Sequence, residues 1–523
     1  MLDTSLFATR PRLLVVLTAL TAAMGTLTGE GFAQTTSPAP SPTPSATPAP
    51  RPTASTNPFS FRGYVRLYDF TRQNASSGIG GAGLVNQQSI EPGVSLHADY
   101  RLGKSGFSVG GSYLYATPLN GCASPRSHSS PPCGNLTPPH LNPDDTLPGF
   151  ALSTFYEAYL QYKDAHLYGK IGDQVINTPW ANASDSRLKP AAFRGIDVAY
   201  TLPNNFSVDV MDMTRFESRT NSTFDNKTLL TSFNLGYTGM PTYIFSPGGN
   251  GVTTPGFQYG RFGYANPAGL SSNVYAYHFS DIANLDWFDA KYTFVHQRTQ
   301  PWFAVQGGIE RNTGASVIGK INSSVVGAQI GAAVTKTITV SLGYDTVPRR
   351  TETIRLPSGI ACSSKYLVSA QPRATLPYFL PVNAPECVNN GNGTATIEYG
   401  GLASPYTDSY ATDPLFSTSL TQGLADRRAP GNGAKLAATY TSIDKRLIVS
   451  VSRAYYNYGF TLGYQQTAET DADAQWYMRP VGKGPYKGLL VRYRYGARTY
   501  ENTALYGGPP LFKYNRAQLE YDF

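Results

Sequence analysis

Apolar and polar residues alternate with a period of two from about residue 59 to the last residue of the chain. In 89–102, Ile90, Pro92, Val94, Leu96, Ala98, Tyr100 and Leu102 share one face. Ser89, Glu91, Gly93, Ser95, His97, Asp99 and Arg101 share the other. In 324–334, Val326, Ala328, Ile330, Ala332 and Val334 alternate with Val325, Gly327, Gln329, Gly331 and Ala333. In 337–345, Ile338, Val340, Leu342 and Tyr344 alternate with Thr337, Thr339, Ser341, Gly343 and Asp345. Successive side chains of a strand point to opposite faces, so such runs predict strands with one apolar and one polar side. Their lengths match the roughly 9–11 residues that cross a bilayer at a tilt. Eighteen strands are predicted, near 59–72, 88–102, 106–117, 150–162, 165–175, 193–202, 205–216, 257–265, 272–281, 285–297, 301–311, 322–334, 337–346, 434–443, 446–457, 471–479, 486–500 and 512–523. The pattern is weakest around 257–281 and 471–479.

Connections between these runs come in two kinds. Gly103-Lys104-Ser105, Lys163-Asp164, Pro203-Asn204-Asn205, Thr335-Lys336 and Ile443-Asp444-Lys445 are short, whereas 118–149, 217–256 and 347–433 are long and rich in Gly, Pro, Ser and Asn. Short turns on one side and long loops on the other are the pattern of a transmembrane antiparallel β-barrel, with the short turns periplasmic and the long loops extracellular. The expected fold is therefore all-β, a barrel of about eighteen strands with both termini on the periplasmic side. A secreted sandwich or propeller also alternates. The turn asymmetry and the ending Leu519-Glu520-Tyr521-Asp522-Phe523, which resembles the C-terminal signal of outer-membrane barrels, favour the barrel.

The N-terminal segment sets the compartment. Arg10 and Arg12 precede an apolar stretch from Leu13 to Leu27, and Gly31-Phe32-Ala33 ends in small residues, so 1–33 reads as a cleavable signal peptide. No Cys lies near that cleavage site, which argues against a lipid anchor there. Residues 34–58 are a Pro/Ser/Thr/Ala-rich tract that cannot bury a core and reads as a disordered, extended linker. Composition alone suggests that it threads the periplasm or touches peptidoglycan. The barrel is expected over 59–523, in contact with outer-membrane lipid. The abundance of Tyr, 36 residues, suits the aromatic girdles of such a barrel, and the mean hydropathy of −0.27 argues against a hydrophobic spanning helix after the leader.

Charge and chemistry narrow the function. The net charge is +8. In an exported chain this does not point to nucleic acid; inside a pore it favours anionic solutes. The four Cys form two near pairs, Cys122-Cys133 and Cys362-Cys387, in loop-like segments rather than a strand pattern, which reads as two loop disulfides in an oxidising compartment. A metal site is the competing reading, but neither pair has CxxC spacing. No GxSxG, HExxH or phosphate-cradling motif is present and the six His are scattered, so the chain does not read as an enzyme and implies no cofactor.

Arginine placement carries the main functional signal. In 488–499 the apolar positions Leu489, Val491, Tyr493, Tyr495 and Ala497 leave Arg492, Arg494 and Arg498 facing inward. Arg516 shares its face with Gln518, Glu520 and Asp522, and Arg62 and Arg66 share theirs with Tyr64 and Tyr68. Closure brings the first strand beside the last, so these arginines would line one lumenal wall, with Arg101 extending it. Such a wall offers an anion successive weak sites. The competing reading pairs these arginines with Glu520, Asp522, Glu91 and Asp99. Opposite that wall, Glu157, Asp197 and Asp209 fall on inward faces with Lys170 between them, either setting up a transverse field or pairing across a turn.

The stretch 155–200 contains Phe-Tyr-Glu-Ala-Tyr-Leu-Gln-Tyr, Tyr-Gly-Lys-Ile-Gly-Asp-Gln, Asn-Thr-Pro-Trp, Ser184-Asp185-Ser186-Arg187-Leu188-Lys189-Pro190 and Phe193-Arg194-Gly195. With Tyr275-Ala-Tyr-His-Phe-Ser-Asp281 and Phe288-Asp-Ala-Lys-Tyr-Thr-Phe294, it resembles the OprD-type substrate-specific porins. That resemblance implies an eighteen-stranded barrel, a constriction made by inward-folded loops, a lumenal basic ladder, and passive uptake of small carboxylate-bearing nutrients such as amino acids, aromatic acids or short peptides. It assigns Asp185, Ser186 and Arg187 to the constriction loop and favours a monomer over a trimer. The Pro-rich linker, the 347–433 loop and the Cys pairs depart from the family pattern. A polysaccharide-export barrel, which would want plugging loops and a docking periplasmic turn, and a surface adhesin or structural barrel, which would want a blocked lumen, are the competing functions.

Overall fold

The computed structural model describes residues 58–76, 84–119, 151–184, 187–232, 243–245, 251–319, 321–355, 360–363, 366–369, 386–407, 412–427, 430–458, 465–481, 488–499 and 512–523. The signal-peptide reading, the linker reading up to residue 57, Cys122, Cys133, Asp185 and Ser186 lie outside the described residues.

Among the described residues one sheet contains eighteen strands. They are β1 (Phe59–Ser76), β2 (Leu84–Arg101), β3 (Phe107–Ala116), β4 (Leu152–Lys163), β5 (Leu167–Gln174), β6 (Ala192–Thr201), β7 (Phe206–Glu217), β8 (Phe257–Ala265) and β9 (Leu270–Phe279). They continue with β10 (Ala283–Thr293), β11 (Trp302–Asn312), β12 (Asn322–Ala333), β13 (Ile338–Val347), β14 (Gly431–Thr441), β15 (Leu447–Tyr458), β16 (Gln465–Tyr477), β17 (Leu489–Arg498) and β18 (Phe512–Asp522). Each pairs antiparallel with its sequence neighbours, and β1 pairs with both β2 and β18, which closes the sheet into a barrel. All eighteen predicted strands are present, including the weakly patterned ones.

The barrel is apolar outside. Val65, Leu67, Val491, Tyr493, Leu519 and Tyr521 are each between 38% and 49% exposed, while their even-numbered neighbours Arg66, Tyr68, Arg494, Gln518 and Glu520 are buried. A soluble sandwich would hide the first group; here they form the surface that meets lipid. At the seam Gly63 and Phe523 exchange backbone hydrogen bonds of 2.9 and 3.0 Å, and the Phe523 ring lies 6.2 Å from that of Phe61. The terminal Phe is thus part of the closing ladder and of the aromatic rim.

Local chemistry sets the short turns. Asp164 accepts hydrogen bonds from the N–H groups of Leu167 (2.8 Å) and His166 (2.7 Å), which hold its carboxyl below the usual range. Asn204 and Asn205, with φ of 59° and 68°, supply the left-handed residues between β6 and β7. In β5, Gly172 has φ +124°, and a Cβ there would sit 2.2 Å from Ala158 O of β4, so only glycine lets the two strands approach.

The long loops are more structured than their composition indicates. Segment 348–400 carries a five-stranded sheet in the order Arg350–Arg355, Thr394–Tyr399, Glu386–Asn389, Tyr366–Ser369 and Ile360–Ser363. Leu230–Ser232 pairs with Tyr243–Phe245. These strands are three to six residues long, too short to show alternation. Cys362 and Cys387 therefore lie in strands of one small sheet, not in irregular chain; their side chains are outside the described residues.

Candidate solute pathway

The basic wall follows from register. Even-numbered residues of β1, β17 and β18 face inward. Phe70 lies opposite Arg516, Arg516 opposite Arg494, and Arg494 opposite Asp473 of β16. One step towards the periplasm, Tyr68, Gln518, Arg492 and Gln475 form the next row. The arginines have different partners. Arg66 Nε donates to Glu520 Oε2 at 2.5 Å. Arg492 makes a fork to Asp473, Nε to Oδ1 at 2.9 Å and Nη2 to Oδ2 at 2.5 Å. Arg494 Nε donates to the same Oδ2 at 3.1 Å. Arg516, 1% exposed, lies 5.0 Å from the centre of the Tyr68 ring. Arg498 Nη1 donates to Thr421 O at 3.3 Å and its guanidinium sits over Phe512. Arg62, exposed at the periplasmic end, has Nη2 3.2 Å from His97 Nε2 of β2, and Arg101 is exposed at the same end. The pairing reading thus describes part of this wall. Its partners are Glu520, which the sequence offered, and Asp473, which it did not.

Residues 175–184 and 187–191, between β5 and β6, run into the lumen, and 187–188 lie against this wall. Arg187 O accepts from Arg66 Nη1 at 2.5 Å and from Tyr68 OH at 3.1 Å, and Leu188 O accepts from Tyr64 OH at 2.7 Å. The buried Arg187 guanidinium lies 5.2 Å from the Phe70 ring centre. Arg187 therefore joins Arg66, Arg492, Arg494 and Arg516 within a few residues of depth. Two anchors fix the loop. Lys189 Nζ donates to Glu217 Oε1 at 2.8 Å, both side chains being fully buried, and Thr154 Oγ1 donates to the same oxygen at 2.9 Å. Burial pushes the Lys189 ammonium below its usual range and Glu217 works against that shift. Trp180 packs its ring edge-on to that of Trp287 at 5.2 Å, and its backbone N–H donates to Tyr277 OH at 3.3 Å.

The acidic residues gather on β4 to β7. These strands lie three to six places from β1 where half the circumference is nine strands, so Glu157, on β4, is a third of the way to the far side and Asp209, on β7, two thirds. Lys170 Nζ donates to Glu157 Oε1 at 3.1 Å and sits 3.7 Å from the Tyr159 ring centre. Ser112 Oγ donates to Glu157 Oε2 at 2.7 Å. Lys170 is opposite Asp197 in register, and Asp209 is opposite Arg261, with the latter pair 3.8 Å apart. Arg261 continues to Asn273 (3.2 Å), which donates to Asp289 (2.8 Å). Arg261 lies in one of the weakly patterned strands, and Asp289, on β10, joins this chain only through contacts that alternation does not encode. A register shift opposite Ser112 makes Tyr156 an extra residue, so Tyr156 and Glu157 both turn inward.

A second segment, described over 400–407 and 412–427, also enters the lumen. Ala403 N donates to Glu310 Oε2 (2.7 Å), Ser417 N to Asp345 Oδ2 (2.6 Å), Leu420 N to Asp471 Oδ2 (3.3 Å) and Thr421 N to Glu469 Oε1 (2.8 Å). Tyr406 sits among Phe193, Phe216, Phe257 and Phe279, with ring centres 5.1 to 6.2 Å away. Asn182 Nδ2 donates to Thr412 O at 3.0 Å, which joins the two inward segments.

A closed eighteen-stranded barrel with an apolar exterior, a charged lumen and two inward segments has the architecture of outer-membrane porins. Residues 143–367 match the family model described as outer membrane porin, OprD family. That match covers less than half of the chain, and the barrel continues in the same fold on both sides of it. No curated protein matches the sequence. Among solved structures the chain is similar to OpdK of Pseudomonas aeruginosa with vanillate, at 15% identity, covering 89% of this chain and 98% of that one with a TM-score of 0.57. It is similar to OccK2 (OpdF) of the same organism in complex with glucuronate, at 12% identity with 89% and 98% coverage and a TM-score of 0.57. A BenF-like porin from Pseudomonas fluorescens Pf-5 shares 11% identity, with 89% and 98% coverage and a TM-score of 0.60. At these identities the structures speak for the fold.

Proposed function

We propose that this outer-membrane porin admits small carboxylate-bearing solutes by passive diffusion along its arginine wall. The observation that carries the reading is the convergence of Arg66, Arg492, Arg494 and Arg516 with Arg187 of the inward segment on one stretch of lumen. Guanidinium groups bind carboxylates through two parallel hydrogen bonds, and several weak sites in a row let a solute enter and leave. Vanillate and glucuronate, named with two of the similar porins, both carry a carboxylate. Arg62 and Arg101 would draw anions at the periplasmic mouth. Lys170, Glu157, Asp197 and Asp209 would orient dipolar solutes such as amino acids. In the same reading 1–33 is removed on export, the linker stays periplasmic, and the barrel works as a monomer.

The test is the refolded protein in a planar bilayer. The expected result is ohmic current, a reversal potential on the anion side under a salt gradient, and partial block by benzoate. Arg492→Ala combined with Arg494→Ala should weaken both preference and block. Current without anion preference in the wild type overturns the carboxylate reading, and no current from folded barrel overturns the open pore.

A further inference from the structure

Asp473 stands in the middle of the proposed pathway. It projects inward from β16, opposite Arg494, and is 7% exposed. Its two oxygens take the fork of Arg492 and the Nε of Arg494. Among the described residues these two arginines have Asp473 as their hydrogen-bond partner. Glu520, on the same stretch, is differently placed. Glu520 is bound to Arg66, and Arg66 also holds the backbone of the inward segment at Arg187. That pair is tied into the support of the loop, whereas among the described residues Asp473, Arg492 and Arg494 make no hydrogen bond to either inward segment.

We infer that Asp473 is a specificity-determining residue of this porin, a tethered carboxylate that occupies the two-arginine site a solute carboxylate would use. The inference rests on the carboxylate reading above. Its geometry is that of a bound anion: one bidentate arginine and one further N–H donor on the same oxygen. A tethered group competes at a high effective concentration, so a free carboxylate must displace it to bind Arg492 and Arg494. Arg492, Arg494 and Asp473 together carry one net positive charge, and Arg516, opposite Arg494, adds a second beside them. The residue thereby keeps the site attractive to anions and holds their residence short. Removing its charge should deepen the site, giving stronger anion preference with tighter and longer block.

Asp473→Asn keeps the size and shape of the side chain and removes the charge; Asp473→Glu keeps the charge. Folding is checked by the heat-dependent gel shift of a closed barrel. In the bilayer, Asp473→Asn should move the reversal potential further to the anion side and lower the half-blocking benzoate concentration at least about fivefold, with longer blocked intervals. Asp473→Glu should stay near wild type. If Arg492→Ala with Arg494→Ala reduces anion preference but Asp473→Asn leaves reversal potential and block unchanged, the wall keeps its role and Asp473 loses this one. If neither set of variants moves either quantity, the carboxylate reading falls and takes this inference with it. Should Asp473→Asn fail to fold, Asp473→Glu still decides: a several-fold change in block with charge retained overturns the competitor role.

Discussion

The two segments that enter the lumen are held by opposite chemistry. Segment 175–191 lies against cations and phenols and gives them carbonyl oxygens, Arg187 O to Arg66 and Tyr68, and Leu188 O to Tyr64. Segment 400–427 lies against carboxylates and gives them N–H groups, those of Ala403, Ser417, Leu420 and Thr421. The sign of the wall selects which half of the peptide group it takes up. A carbonyl brings only partial charge, so the wall under Arg187 stays positive. Glu310, Asp345 and Glu469 are each 0% exposed beneath their segment, so the negative wall is withdrawn from the water.

This contrast can be broken at several points. Glu217→Ala has the largest expected effect, because it leaves Lys189 buried without its counter-charge, at a cost of about 3–5 kcal/mol. The temperature at which the barrel loses its compact gel mobility should fall, and adding Lys189→Met should recover most of the loss. A double variant as unstable as the single one would show that packing, not charge, anchors that end of the loop. Glu469→Ala comes next. It removes the acceptor of both the N–H and the hydroxyl of Thr421, at about 1–3 kcal/mol. Faster limited proteolysis within 412–427 and a larger single-channel conductance are expected, and no change in either would disconnect the acidic wall from the segment. Tyr64→Phe is the mildest, losing one hydrogen bond to Leu188 O at about 0.5–1.5 kcal/mol. It should add current noise while leaving mean conductance intact, and a quiet trace would mean that the loop is fixed without this bond.

The contrast also separates what the sequence can express from what it cannot. Arg492, Arg494 and Arg498 could be assigned to the lumen because Val491, Tyr493 and Tyr495 fix the lipid side of β17, and a period of two leaves one alternative. Closure did the rest by bringing β1 to β18. Asp473 escaped notice because the outward residues of its strand include Ala472 and Ala474, which barely mark a lipid face. The hold on segment 400–427 was out of reach for a different reason. Glu310 and Ala403 are 93 residues apart, and the donors are backbone N–H groups that no side-chain pattern encodes. The same is true of Lys189 and Glu217, 28 residues apart. Composition marked 347–433 as a loop and was blind to its small sheet, whose strands fall below the length at which alternation is visible.

The Gly63–Phe523 seam gives the pathway a birth order. Arg62 and Arg66 belong to the first strand, Arg516 and Glu520 to the last, and Arg492, Arg494 and Arg498 to the one before it. In an open sheet these groups stand at opposite edges. The Arg66–Glu520 contact spans 454 residues of chain, the kind of distant pairing that forms late. Until the final strand docks, Arg66 and Glu520 cannot meet, and the arginines of β1, β17 and β18 do not stand side by side. Barrel closure and the assembly of the proposed pathway are therefore completed in one and the same event.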